Sequence, residues 1–113
     1  MPPREWKIRV EDIVEAARRI QQHTAGMDRD AFTRDAKTAD AVQYQFVVIG
    51  EAARHVPDDI TGRHLEIPWA EMRDMRNVVA HGYFRVSLDI MWETATRDVP
   101  PLIESLRRLL DEE

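Results

Sequence analysis

Between residues 5 and 22, in EWKIRVEDIVEAARRIQQ, apolar side chains return every three or four positions. Trp6, Ile8, Val10, Ile13, Val14, Ala17 and Ile20 carry this pattern, with Glu and Arg filling the gaps. On a helix such spacing gathers the apolar groups onto one side, whereas a strand would scatter them over both faces. A helix with one apolar stripe can bury it only against other helices, so the feature commits the chain to helix-on-helix packing.

The punctuation of the rest agrees. Gly26 breaks the first pattern within HTAGMDRD, and a short helix is expected over AFTRDAKT. A second strong helix is expected from Asp40 to His55. Its middle, FVVIG, is rich in β-branched residues, but Ala41, Tyr44, Val48, Ala52 and Val56 repeat at helical spacing. Gly50 would allow this helix to pack closely on a neighbour. Pro57 ends it, VPDDITGRHLEIP reads as a loop, and Pro68 can start the next helix, which runs through WAEMRDMRNVVAH. Gly82 is suited to terminate that helix, and the last one is expected near Ser87, with Leu88, Met91, Trp92 and Ala95 on its core face. Pro100 and Pro101 should kink or split it before LIESLRRLL. The expected fold is all-α, an up-and-down bundle of four to five helices in one domain spanning residues 1–113.

Composition narrows the function classes. Without cysteine there is no disulfide framework or thiolate metal site. The four histidines are scattered and no H-E-x-x-H pair occurs, so no metal site and no cofactor are expected. The N-terminus shows no apolar signal core and no stretch reaches membrane-spanning length, which points to a cytoplasmic protein with no membrane role. A formal charge of -5 argues against coating nucleic acid by bulk electrostatics. A nucleic-acid role would need positive charge gathered locally.

Such a gathering is found in RNVVAHGYF, residues 76–84, and just before it. Each helical residue turns by about 100°. Asn77 and His81, four apart, share a face; Arg73 lies four before Asn77, and Arg76 lies beside them with Ala80 as a small floor. Tyr83 is nearly in line with Arg76 if the helix continues that far, while Met75, Val78 and Val79 turn towards the core. Arg offers bidentate donors to a phosphate, and an unperturbed His exchanges protons near neutrality. Together they suit metal-independent cleavage of RNA, with the 2′-hydroxyl attacking the adjacent phosphate. One copy supplies a single His in this motif, so a twofold homodimer that pairs two such helices would supply the second proton carrier and double the arginines. The plainer reading is a helix end whose His81 complements the dipole and whose arginines are solvated beside Glu71 or Asp74. Trp6, Trp69 and Trp92 read as core or interface anchors, and Glu51 as a surface carboxylate.

IGEAARHVP at 49–57, IPWAEMRDMRNVVAHGYF at 67–84 and the Ile90-Met91-Trp92-Glu93 segment resemble the HepT family of HEPN-domain toxins. The family signature, R-N-x-x-x-H-x-Y preceded by a Pro-Trp helix start, is present without a gap. The resemblance implies a homodimeric endoribonuclease, the toxin of a type VII-like pair, opposed by a minimal nucleotidyltransferase (MNT) antitoxin. It implies that Arg76 and His81 are catalytic, Asn77 and Arg73 support them at the RNA phosphate, and Tyr83 is the residue the antitoxin AMPylates. Transfer RNA and messenger RNA both remain open as substrates. The alternative is a non-catalytic HEPN module that binds nucleotide or RNA and docks the nucleotidyltransferase.

Overall fold

The computed structural model describes residues 5–80 and 84–113, and within 77–80 and 84–87 the backbone only. The expected amphipathic segment forms α1, Glu5–Thr24. Its stripe enters the core: Val10, Ile13, Ala17 and Ile20 are fully buried and Trp6 nearly so. Each large aliphatic side chain buried in this way contributes about 1.5–3 kcal/mol. Ile8 is the exception, half exposed on the flank. After α1 the chain reverses at Gly26, whose φ of 76° is in the left-handed region where a side chain would be strained.

Two short turns of helix lie where the sequence reading was least detailed. Asp28 caps α2, Arg29–Arg34, by accepting from the Ala31 N–H at 2.8 Å. Phe32 at its centre is fully buried and meets the Trp92 ring with centroids 5.5 Å apart. Asp35 then closes α2 and opens α3, Ala36–Arg54, accepting from the Thr38 N–H at 3.1 Å and the Thr38 hydroxyl at 2.8 Å. The residues expected as one helix over AFTRDAKT therefore divide at this aspartate.

The β-branched FVVIG segment is helical, within α3. Of the expected stripe Ala52 and Val56 are buried and Val48 is partly so, but its start is corrected: Tyr44 is 64% exposed, and the buried line there runs through Val42, Phe46, Ile49 and Ala53. Packing against α1 on one side and α5 on the other sets this rotation, which periodicity through one apolar set could not distinguish. The loop expected over 56–68 is also corrected, since it contains α4, Asp58–Arg63. Asp58 and Asp59 complement the dipole of its first turn, and Ile60 seals it to the core.

α5 spans Trp69–Ala80 and α6 spans Phe84–Glu93. Since α6 begins three residues before Ser87, that serine is not its N-cap, contrary to expectation. A π-helical segment, Thr94–Asp98, then leads into α7, Val99–Glu112. The disruption expected at the prolines takes the form of this π turn, and the helix continues through it rather than dividing in two. Pro100 and Pro101 carry no N–H, and the wider π turn accommodates their rings while the Val99 N–H reaches back five residues to the Thr94 carbonyl.

The architecture is all-α, as expected, with no strand among the described residues. α3 lies between α1 and α5, and α7 packs on the other flank of α1. One contiguous core joins these helices. Among the described residues no helix is long and apolar enough to cross a membrane.

Candidate functional site

The arginine-bearing helix is fixed at its start by tryptophan. Pro68 precedes α5 and its carbonyl accepts the Met72 N–H at 3.0 Å. Trp69 is buried and its Nε1–H donates to the His64 carbonyl at 3.0 Å. Met72 is fully buried, and Met75 packs half-buried against the core. Met75 thus lies on the expected side, the side chains of Val78 and Val79 lie outside the described residues, and Arg73 and Arg76 are turned away from the core.

One contact sets the height of α5 on α3. A Cβ at Gly50 would lie 3.0 Å from both the Cβ and the backbone nitrogen of Arg76, and 3.2 Å from the Met72 carbonyl oxygen. Only glycine lets the two backbones approach so closely. The residue after it, Glu51, then stands beside Arg76, with Oε1 2.7 Å from Nε. Arg54, one turn further along α3, reaches the same carboxylate oxygen at 3.6 Å.

Arg54, Arg73 and Arg76 line a shallow surface hollow with Ala70 and Asp74. Three guanidiniums share this neighbourhood with the carboxylates of Glu51 and Asp74, so the local balance is positive on a chain whose total is -5. The side chains of Arg76 and Glu51 are 46% and 42% exposed. A pair so open to water contributes only about 0–1 kcal/mol, so its consequence lies in orientation rather than stability. Engaging Nε fixes one edge of the guanidinium and leaves the terminal nitrogens as donors for a phosphate.

The structure thus brings Arg73 and Arg76 together on one side of α5. Asn77 follows on the same helix, with its side chain outside the described residues, and His81 and Tyr83 lie outside them entirely. Arg76 is solvent-exposed, as the solvated-face reading expects, but its partner is Glu51 of α3 rather than Glu71 or Asp74. Glu51 itself was read as a surface carboxylate, and its place in this cluster is the feature the sequence reading missed. The available signal was Gly50 immediately before it, because a glycine inside a strong helix marks where a neighbouring backbone comes close. Among the described residues no three His, Asp or Glu side chains converge as a metal site.

Comparison with known proteins gives consistent relatives. The ribonuclease HepT-like family model matches residues 13–109. A protein of Thermococcus cleftensis named "Probable ribonuclease HepT" is 39% identical over 108 residues, covering 93% of this chain and 98% of that protein. A Methanocaldococcus jannaschii protein named as a candidate RNase is 31% identical, covering 97% of this chain and 91% of its own length. Another candidate RNase, from Caldanaerobacter subterraneus, is 28% identical over 92% of this chain and 93% of its own. No solved structure matches the chain. The matched span runs from the middle of α1 almost to the end of α7 and takes in the Arg76 helix and its Glu51 partner; the chain belongs to the ribonuclease HepT-like family.

Proposed function

We propose that this protein is a metal-independent endoribonuclease, the cytoplasmic toxin of a HEPN/MNT toxin-antitoxin pair. The observation that carries the reading is Arg76, the first residue of the R-x-x-x-x-H motif, held by Glu51 in a local excess of positive charge. Family membership supports the same reaction class.

In the proposed reaction the RNA 2′-hydroxyl attacks the adjacent phosphorus, forming a 2′-O–P bond as the P–O5′ bond breaks. His81 exchanges the proton with the attacking or the leaving oxygen, and the second His81 of a homodimer serves the other. Arg76 donates to the non-bridging oxygens, where charge accumulates. Arg73 and Asn77 hold the flanking phosphate. The nucleotidyltransferase antitoxin transfers adenylate from ATP to the Tyr83 oxygen, with pyrophosphate leaving, two residues from His81, and the added phosphate and bulk oppose entry of RNA.

The test is the intact mass of the protein expressed with and without its nucleotidyltransferase, followed by RNA cleavage with each form. The proposal expects an adenylate mass on Tyr83 and cleavage by the unmodified protein alone. Arg76→Ala should lower cleavage by about 10²–10³-fold, and His81→Ala should abolish it while leaving nucleotidyltransferase binding intact. Tight binding to the nucleotidyltransferase without cleavage by either form would instead favour the non-catalytic docking module.

A further inference from the structure

α5 carries a second feature, which meets the arginine hollow at Asp74. α5 packs on α3 and α7 packs on α1, and between α5 and α7 runs an open groove of about 610 Å³. Met72, Met75 and Leu102 form its floor, and the exposed prolines Pro68 and Pro101 stand on opposite walls. Its rim is acidic: Glu66, Glu71 and Asp74 on one side, Asp98 on the other. Among the described residues no lysine or arginine lines it, and none lies within ion-pair distance of Glu71, Asp74 or Asp98.

We propose that this groove docks a cationic amphipathic helix of a protein partner. An apolar floor between carboxylate rims matches a helix with a stripe of leucine-like side chains flanked by Lys and Arg. Met75, the methionine of the floor that is partly exposed, adapts to such side chains, because the thioether is unbranched and polarisable. RNA is excluded by charge, since its phosphates would face four carboxylates. A second copy of this chain is disfavoured too, because a twofold contact centred here would set each acidic rim against its own image. α5 thereby has two sides of opposite character, one with arginines for a polyanion and one with an acidic, apolar groove for a basic helix.

The probe is a fluorescein-labelled helical peptide of lysine and leucine with leucines at three- and four-residue spacing. A scrambled peptide of the same composition serves as its control. Binding to the full chain is followed by fluorescence anisotropy at about 0.15 M salt. The ordered peptide should bind, and the scrambled one should bind about tenfold more weakly. Glu71→Lys with Asp98→Lys should weaken binding by about tenfold or more, and Pro101→Arg should do so alone. Glu11→Lys with Asp12→Lys, an equal charge change on the exposed side of α1, should leave binding within about twofold. Pro101→Arg keeps the test valid if the double variant fails to fold, which its thermal melt reveals. Equal binding of both peptides, equal loss from the α1 control, or no binding by the unaltered protein each overturns the proposal. A fall in oligomeric mass of the Pro101→Arg variant by light scattering would also overturn it, because the groove would then belong to a second copy.

Discussion

Replacing Gly50 by alanine puts a methyl group in place of one hydrogen at the tightest point between α3 and α5. The new Cβ would stand 3.0 Å from the Arg76 Cβ and nitrogen and 3.2 Å from the Met72 oxygen. Carbon atoms rest about 3.5–4.0 Å apart, so α5 must retreat by roughly half an ångström or more. The obstructing atoms belong to backbone and Cβ, and no flexible side-chain end is available to yield. Overpacking of this kind costs about 1–3 kcal/mol, against about 0.5–1 kcal/mol regained from the better helix propensity of alanine. The expected net loss is therefore about 1–2 kcal/mol. For a domain of this size that lowers Tm by about 4–8 °C, read from a thermal melt by circular dichroism. Gly62 in α4 supplies the contrast, since a Cβ there meets nothing within 4 Å. Gly62→Ala should keep the propensity gain and raise Tm by a few degrees, up to about 1 kcal/mol. A Gly50→Ala protein that melts at or above the unaltered protein would refute the close-approach argument.

Glu51→Gln should leave Tm within about 2 °C, because an exposed pair contributes little, yet lower RNA cleavage by about tenfold as Arg76 loses its charged partner; unchanged cleavage would remove Glu51 from the site. Asp35 has its carboxyl held below its ordinary 3.8 by the Thr38 N–H, then by the Thr38 hydroxyl. A depressed carboxylate stabilises the fold above its unfolded pKa and loses that contribution as pH falls through the folded value. The Tm difference between the unaltered protein and Asp35→Asn should therefore be largest near neutrality and close in acid; a gap that does not change with pH contradicts this assignment. Trp69→Phe removes the donor to the His64 carbonyl but leaves that oxygen accepting the Ile67 N–H at 3.1 Å. The cost should stay near 1–2 kcal/mol in urea denaturation, and a loss below about 0.5 kcal/mol would mean the indole bond contributes nothing.

Periodicity was sufficient to read α1, the helical state of FVVIG and the disruption at the prolines, because each depends on spacing or on a missing N–H within a few residues. The rotation of α3 was not readable in the same way. Its Tyr44 stripe and its Val42–Phe46–Ile49–Ala53 stripe both satisfy a 3.6-residue repeat, and only the positions of α1 and α5 decide between them. α4 was missed for a related reason: six residues with a glycine give a weak local pattern, and the burial of Ile60 in the shared core is what secures it. Arg73 and Arg76 stood out through their spacing. Glu51 did not, because it is far from them in sequence and joins them only through the contact at Gly50.

The π-helical segment has a consequence for how the chain tolerates changes in length. From Phe84 to Glu112 the backbone is one uninterrupted helical rod, and residues 94–98 act as its phase adjuster. Before the adjuster, Met91 is timed to the neighbours of α6; after it, Val99, Leu102 and Leu106 are timed to α1. Removing one residue from 94–98 would let the wide turn close into regular α-helix with Val99, Leu102 and Leu106 kept close to their places, whereas removing one from the α-helical turn after Val99 would advance everything beyond it by about 100°. In the second case Arg107 would take the buried position that Leu106 holds. The chain should therefore tolerate a one-residue deletion within 94–98 better than one a few residues later.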